Sequence, residues 1–105
     1  MKRNIGRARR VYLSGAISSL PIDEARMMFY KTESEISMWG HEVVNPMKIV
    51  HYKKGRSWFS YMVRDIAQLV KCDAIYLLPN WKQSRGARIE RRIAKILGMW
   101  VFYAN

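Results

Sequence analysis

Strand-like and helix-like segments alternate along the chain, and this alternation restricts the possible folds more than any other feature. Runs rich in β-branched and aromatic residues predict strands at Arg10–Gly15, His41–Pro46, Cys72–Pro79 and Met99–Tyr103. Helical spacing of apolar residues predicts helices over Asp23–Met38, Ser57–Val70 and Ser84–Gly98. Because strand–helix–strand connections are right-handed, we expect a small Rossmann-like or flavodoxin-like α/β fold in three layers, with about four parallel strands and helices on both faces.

The segments that follow the predicted strands are where a ligand is expected. In parallel sheets, ligands bind beyond the carboxyl ends of the strands, at the point where successive connections run in opposite directions. The turn at 14–19, the Asn45–Pro46 pair and the loop at 80–86 all leave such ends. We therefore expect them to converge on one crevice. The polar and basic segment Met47–Arg56 shows no periodicity and is predicted to be a mobile loop.

The length and the net charge of the chain limit the classes of protein to which it can belong. The 105 residues fit one domain, predicted over residues 10–105 after a basic, flexible arm at residues 1–9. A formal charge of +11, from 19 basic and 8 acidic side chains, indicates an anionic partner such as a nucleotide or nucleic acid. No apolar run is long enough for a membrane span or a secretory signal, and one cysteine with two histidines predicts neither a disulfide nor a metal site. We therefore expect a cytoplasmic protein without a cofactor and without a membrane partner.

The last predicted helix carries a carboxylate on its apolar side. At about 100° per residue, the apolar arc contains Gly86, Ala87, Ile89, Ile93, Ala94, Ile96 and Leu97. The basic residues Arg88, Arg91, Arg92 and Lys95 lie opposite. Glu90 falls inside the apolar arc and has no basic residue three or four positions away. Because an inward carboxylate is costly unless something uses or satisfies it, Glu90 is either a functional carboxylate or one held by a tyrosine or a backbone N–H elsewhere in the fold.

Other polar residues are expected near the same crevice. Ser84 is a good N-cap, and the helix N-terminus behind it is a natural anion site. Asp65 also lacks a basic neighbour on its helix, whose predicted inward stripe is Phe59, Met62, Ile66, Leu69 and Val70. Asp73 begins the third strand and is equally explained as the cap of a turn. Tyr12 would either direct its hydroxyl to Glu90 or simply pack in the core.

Five segments, in order, resemble the nucleoside 2-deoxyribosyltransferase superfamily. They are Val11–Ile17, Gly40–Pro46, Arg64–Ile66, Cys72–Ile75 and the pattern Ser84-x-Gly86-x-x-x-Glu90. The resemblance covers about residues 10–103 and is nearest to the short members of that superfamily. The spacing of the last pattern is also similar to that of the branch that hydrolyses the N-glycosidic bond of deoxynucleoside 5′-monophosphates.

The resemblance implies a small Rossmann-like fold and an activity at the N-glycosidic bond. Glu90 would be the nucleophile that attacks the anomeric carbon and forms a covalent glycosyl-enzyme, which water or a second base then resolves. Asp65 would assist protonation of the departing base or hold the sugar, and Tyr12 would orient Glu90. Because members of the superfamily often complete each other's sites, a homodimer or a larger homo-oligomer is expected.

The expected substrate- and phosphate-binding residues come from the resemblance and from the loops around the crevice. They are Ser14, Gly15, Ala16, Ile17, Ser18, Asn45, Asp73, Trp81, Ser84, Arg85, Gly86 and Arg88. The turn after Gly15 lacks the arginine and extra glycine of the monophosphate-hydrolysing relatives, and Arg85 and Arg88 are candidates to replace that charge. Trp81 either stacks on a base or packs over the crevice. Two other functions stay open: a nucleotide sensor without chemistry, and a nucleic-acid-associated protein that uses the basic arm and the 48–56 loop.

Overall fold

Four parallel strands and the helices that connect them make up the protein. The computed structural model describes residues 8–17, 20–49 and 57–104. The strands are β1 (Arg10–Ser14), β2 (Glu42–Val44), β3 (Ala74–Leu77) and β4 (Trp100–Tyr103). The helices are α1 (Ile22–Met38), α2 (Pro46–Ile49), α3 (Trp58–Leu69) and α4 (Arg85–Ile96), and a 3-10 turn at Trp81–Gln83 precedes α4. The predicted α/β fold is confirmed.

The alternation of side chains along β1 creates the three layers. Successive strand residues point to opposite faces of the sheet. Leu13 packs with Phe29 of α1 in one core cluster, whereas Tyr12 packs with Leu69 of α3 and Ala94 of α4 in another. Helix α1 therefore covers one face of the sheet, and α3 and α4 cover the other.

The strand order creates a crevice beside β1. All pairings are parallel and the order is β2-β1-β3-β4, so the chain leaves β1 in one direction through α1 and leaves β3 in the other through α4. The connections therefore diverge at the carboxyl ends of β1 and β3. This is the switch point at which ligands bind in open parallel sheets.

Both ends of α4 are fixed by local hydrogen bonds. The Ser84 hydroxyl accepts the Ala87 N–H at 3.1 Å, which confirms the predicted N-cap. Gly98 has a φ of 74°, and the Met99 N–H behind it donates to the Ala94 carbonyl at 2.9 Å. This left-handed turn ends the helix because glycine adopts positive φ without a side-chain clash.

The predicted inward stripes are wrong at the helix ends. Phe59 is 70% exposed and Ile96 is 77% exposed, and Val70 and Leu97 are also exposed. The buried residues are Met62, Asp65 and Leu69 on α3 and Ala87, Glu90 and Ala94 on α4. At about 100° per residue, Phe59, Val70 and Ile96 lie roughly 90° or more around the helix from the centres of these buried sides. The sheet therefore covers a narrower side of each helix than the apolar pattern marks.

Two predicted boundaries also change. The start of the predicted loop Met47–Arg56 is the short helix α2, because Asn45 Oδ1 accepts the Met47 N–H at 2.9 Å and Pro46 is suited to the first helical position. The rest of that loop, residues 50–56, lies outside the described residues. Of the predicted arm, Ala8 is buried in the core and the Arg9 N–H donates to Asp73 at 2.9 Å. Residues 1–7 of that arm lie outside the described residues.

The described helices were also considered as membrane spans by length and hydropathy. Across the ranges 8–17, 20–49 and 57–104, no helix combines the length and the apolar character needed to cross a bilayer.

The close approach of the β1 turn to β3 is testable at Gly15. A Cβ at this position would lie 2.8 Å from Leu78 Cδ1 and 2.9 Å from Leu78 Cβ. We expect Gly15→Ala to lower the free energy of unfolding by about 1–3 kcal/mol, as overpacking usually does. At Gly86 the nearest atom is the sulfur of the flexible Met62, so Gly86→Ala is the matched control and should cost less. Urea unfolding of the two variants measures the difference, and equal midpoints would contradict it.

Candidate active site

Glu90 lies at the centre of the site and is held by two hydroxyl groups from β1. Tyr12 Oη donates to Glu90 Oε2 at 2.8 Å, and Ser14 Oγ donates to Glu90 Oε1 at 2.6 Å. Tyr12 and Ser14 are two positions apart on a strand, so both side chains face α4. Glu90 is only 5% exposed. Glu90 therefore projects from the apolar side of α4 toward the sheet, and each oxygen of its carboxyl group accepts a hydrogen bond from β1.

Burial changes the acidity of Glu90. Desolvation, followed by the negative charge of Asp65, raises the pKa of Glu90 from 4.5 to about 8. The hydrogen bonds from Ser14 and Tyr12 act in the opposite direction, because they favour the carboxylate. The Glu90 carboxyl is therefore largely protonated at neutral pH in the free protein.

A pocket of about 270 Å³ opens on Glu90. Asp65 of α3 lines it and is 7% exposed, so two buried carboxyl groups from different helices share one cavity. The other lining residues come from β1 and its turn, from α1, and from the starts of α2, α3 and α4: Leu13, Gly15, Ile17, Phe29, Pro46, Trp58, Tyr61, Met62, Ser84, Gly86 and Ala87, with Tyr12 and Ser14. This volume is near the lower limit of small-molecule sites.

One side of the pocket attracts anions. Ser84, Gly86 and Ala87 form the N-terminus of α4, where backbone N–H groups and the helix dipole favour negative charge. The Arg85 guanidinium lies 4.2 Å from the ring centre of Trp58, which lines the pocket. Gly86 and Glu90 are one helical turn apart, so an anion bound at this N-terminus would lie about 6 Å along the helix axis from the carboxyl group.

The structure brings together all three predicted catalytic residues and part of the predicted binding set. Those that line the pocket are Tyr12, Ser14, Gly15, Ile17, Asp65, Ser84, Gly86 and Glu90. Those that do not line it are Ala16, Asn45, Asp73, Trp81, Arg85 and Arg88. Ser18 lies outside the described residues.

Asn45 and Asp73 have other partners. Asn45 is buried, and its Nδ2 donates to Glu33 Oε1 at 3.1 Å, so it stabilises the junction of β2 and α2. Asp73 Oδ2 and Oδ1 accept the backbone N–H groups of Arg9 and Arg10 at 2.9 and 2.8 Å. These bonds lower the pKa of Asp73, although desolvation opposes them. Asp73 therefore caps the amino end of the sheet, far from the crevice.

The remaining predicted residues do not line the pocket. The Ala16 N–H donates to Asn80 Oδ1 at 3.1 Å, which ties the β1 turn to the loop after β3. Arg88 is exposed, and its Nε donates to the Ser84 carbonyl at 3.4 Å. Trp81 packs against Tyr103, with their ring centres 5.7 Å apart. Both predicted roles placed Trp81 at the crevice, and it does not line the pocket.

Several pocket residues were missed by the sequence analysis. Trp58, Tyr61 and Met62 precede Asp65 by seven, four and three positions, so they share its side of α3. That helical spacing was a usable signal. Phe29 comes from α1, and no local pattern indicated that it borders the same cavity. Pro46 belongs to the Asn45–Pro46 pair that was expected at the crevice, and it lines the pocket.

The described residues include neither a reactive thiol nor a metal-binding cluster. Burial raises the pKa of the Cys72 thiol to about 12, which makes it a poor nucleophile. Within residues 8–17, 20–49 and 57–104, no group of three or more His, Cys, Asp or Glu side chains is placed to hold a metal ion.

Comparison with known proteins places the whole domain in one family. The family model described as "Domain of unknown function (DUF4406)" matches residues 9–103, which include every strand and helix of the fold. A search of curated proteins gave no match.

The raised pKa of Glu90 predicts a specific dependence of stability on pH. The pKa of Glu90 is about 8 in the folded protein and 4.5 as its ordinary value. The protonated Glu90 therefore stabilises the fold fully below pH 4.5, and this stabilisation is lost as pH rises through about 8. Relative to Glu90→Gln, the wild-type protein should lose about 2 kcal/mol of unfolding free energy between pH 6 and pH 8. Urea unfolding at several pH values measures this difference. Parallel profiles for the two proteins would contradict it.

Proposed function

Since this chain belongs to the DUF4406 family, whose description names no activity, its function rests on its site, and we propose that it cleaves or transfers at the N-glycosidic bond of a (deoxy)nucleoside or its 5′-monophosphate. The observation that carries the proposal is the pair of buried carboxyl groups, Glu90 and Asp65, that face one small pocket. We place the reaction in the cytoplasm, where free nucleotides are available.

Two carboxyl groups suit this reaction because it needs a nucleophile and an acid. Ionised Glu90 attacks the anomeric carbon while the proton of Asp65 passes to the base, and the bond between carbon and nitrogen breaks with its electron pair on the base. Glu90 is then esterified to the sugar. Asp65, now ionised, takes a proton from water or from a second base, which attacks the same carbon and releases Glu90 as a carboxylate.

Electrostatic repulsion between Glu90 and Asp65 keeps one proton on the pair, as the reaction requires. The charge of Asp65 raises the pKa of Glu90, so the pair retains one proton at neutral pH. In the reactive arrangement that proton lies on Asp65 and the charge on Glu90. The hydroxyl groups of Tyr12 and Ser14 stabilise this arrangement, because both donate to the Glu90 oxygens.

The rest of the pocket fits the two ends of a nucleotide. The N-terminus of α4 and the nearby Arg85 favour a 5′-phosphate one helical turn from Glu90. Trp58 and Tyr61 provide aromatic surface for a base. A hydroxyl in place of the phosphate carries no charge for the helix N-terminus and Arg85 to stabilise, so we expect monophosphates to be better substrates than nucleosides.

A second candidate function is nucleotide binding without chemistry. One observation favours it: both Glu90 oxygens accept hydrogen bonds and the group is largely protonated at neutral pH, as in a purely structural carboxyl. A sensor of this kind would bind nucleotides saturably and release no base.

Substitution of Glu90 tests the proposed reaction. The purified protein is incubated with deoxynucleosides, ribonucleosides and their 5′-monophosphates, and free base is measured by chromatography. Glu90→Gln should reduce base release by at least about 10³-fold, because the neutral amide side chain of glutamine is a poor nucleophile. Glu24→Gln, at an exposed position of α1, is the matched control and should keep full activity.

The outcomes separate the candidate functions. Base release that requires an added acceptor base indicates a transferase, and release without one indicates a hydrolase. Unchanged release from Glu90→Gln would contradict the proposal. Saturable binding of a nucleotide without release of base from any substrate in the panel would favour the sensor.

The pH profile tests the role of Asp65. If one proton must remain on the pair, the profile of kcat/KM is bell-shaped and its alkaline limb falls near pH 8. Asp65→Asn removes the titrating acid, so the alkaline limb should disappear and kcat should fall by about 10²-fold. A wild-type profile that keeps rising above pH 8 would contradict the acid role and leave Asp65 as a residue that holds the sugar.

A further inference from the structure

The solvent face of α4 is a continuous band of basic side chains. Angular positions along the helix order these residues across an arc of about 120°, as Arg91, Lys95, Arg88, Arg92 and Arg85. Arg91 is partly buried at one border of the arc, and the other four are exposed. The band is about 15 Å long from Arg85 to Lys95.

Acidic side chains do not neutralise this band. Glu90 is the only acidic residue of α4 and Asp65 the only one of α3, and both point into the pocket. The three ion pairs found among the described residues join Arg10 to Glu42, Arg26 to Asp23 and Lys48 to Glu33. None involves a side chain of the band. Five positive charges therefore share one face of the helix without a carboxylate partner in the part of the chain that the structure describes.

Aromatic rings lie at both borders of the band. At one border the Arg85 guanidinium is 4.2 Å from the Trp58 ring centre. At the other, the Arg91 guanidinium is 5.1 Å from Trp81 and 5.8 Å from Tyr103, and its Nε donates to the Tyr103 hydroxyl at 2.7 Å. Stacking on rings holds arginine side chains in place while their outer N–H groups stay available.

The two faces of the protein differ in charge. Helix α1, on the opposite side of the sheet, carries the acidic residues Asp23, Glu24, Glu33 and Glu35 against two basic ones, Arg26 and Lys31. Arg64 on α3 and Lys82 beside Trp81 extend the basic side. The formal charge of +11 is therefore not spread evenly, and a polyanion would approach the α4 face.

We propose that the α4 face, formed by Arg85, Arg88, Arg91, Arg92 and Lys95 with Trp58, Trp81 and Tyr103, is a binding surface for single-stranded nucleic acid. The basic side chains would contact consecutive phosphates, and displacement of their counterions would drive binding. The rings at the borders would stack on bases, which single strands expose and duplexes do not. This surface differs from the one expected from the sequence, which was the basic arm with the 48–56 loop.

A single strand fits this surface better than an anionic membrane. A membrane-binding helix presents large apolar side chains between its basic ones. The band itself contains none, because the exposed Ile96 of α4 lies outside its arc, and Trp58 and Tyr103 at its borders stay 38% and 40% exposed. The surface shares Arg85 and Trp58 with the edge of the proposed nucleotide site, but Glu90 and Asp65 take no part in it.

Charge reversal on the band tests the proposal. Binding of a fluorescent oligothymidylate of about 20 nucleotides is followed by anisotropy at about 50 mM salt. The double variant Arg88→Glu/Arg92→Glu should raise Kd by at least about 30-fold. Its slope of log K against log salt should fall by about 1.4, which corresponds to two lost phosphate contacts. The matched control is Arg26→Glu/Lys31→Glu on α1, which changes the net charge equally and should raise Kd less than about 3-fold.

Ring substitution tests the preference for single strands. Trp81→Leu should weaken binding of the oligothymidylate by about 10-fold and leave binding of a duplex of equal length unchanged. Trp100→Leu, an exposed tryptophan at the other end of β4, is the control. Circular dichroism and thermal melts show whether each variant is folded. If Arg88→Glu/Arg92→Glu is not folded, the neutral variant Arg88→Gln/Arg92→Gln replaces it in the binding assay.

Specific outcomes would overturn the proposal. Absence of binding at low salt, equal weakening by the α1 and α4 variants, or tighter binding to anionic vesicles than to the oligonucleotide would each reject the α4 face as a nucleic-acid surface. Equal affinity for duplex, with no effect of Trp81→Leu, would reject the single-strand preference. The Glu90→Gln variant should bind the oligonucleotide normally, so failure of this proposal and failure of the proposed glycosidic activity are separable.

Discussion

The buried carboxyl group of Glu90 is the constraint on which the rest of the site depends. Removing a carboxyl group from water is costly, and the second carboxyl group of Asp65 increases the cost of ionising it. Two hydroxyl groups of β1 offset part of this cost by donating to both oxygens. This arrangement fixes the position of α4 relative to β1, and it leaves a group that holds its proton near neutral pH.

The sheet topology explains why these groups meet. Because β1 lies between β2 and β3, its carboxyl end faces the switch point, and α3 and α4 pack on the same side of it. The Tyr12 and Ser14 side chains follow from the two-residue period of the strand, and Asp65 and Glu90 occupy the buried sides of two helices. The opposite side of α4 is then exposed and carries the basic residues, with the exposed Ile96 beside them. A single helix thus separates a buried acidic site from a basic surface.

Local sequence rules predicted much of this arrangement. The apolar arc placed Glu90 inward, Ser84 was correctly identified as a cap, and Tyr12 was named as one possible partner of Glu90. Asn45 and Asp73 show why loops at strand ends are harder to assign. Their side chains satisfy backbone N–H groups or a neighbouring helix, and the sequence pattern of such a cap resembles that of a ligand-binding residue.

The sequence by itself determined the elements, their alternation and therefore the parallel α/β fold, because short-range periodicity reports which side of each strand or helix is buried. The tertiary structure decided which polar residues share the pocket, that Ser14 joins Tyr12 on Glu90, and that Phe29 borders the same cavity. It also decided that Phe59 and Ile96 are exposed, since the sheet covers a narrower side of each helix than the apolar pattern marks. These features depend on distances between elements far apart in the chain, and no local pattern encodes such distances.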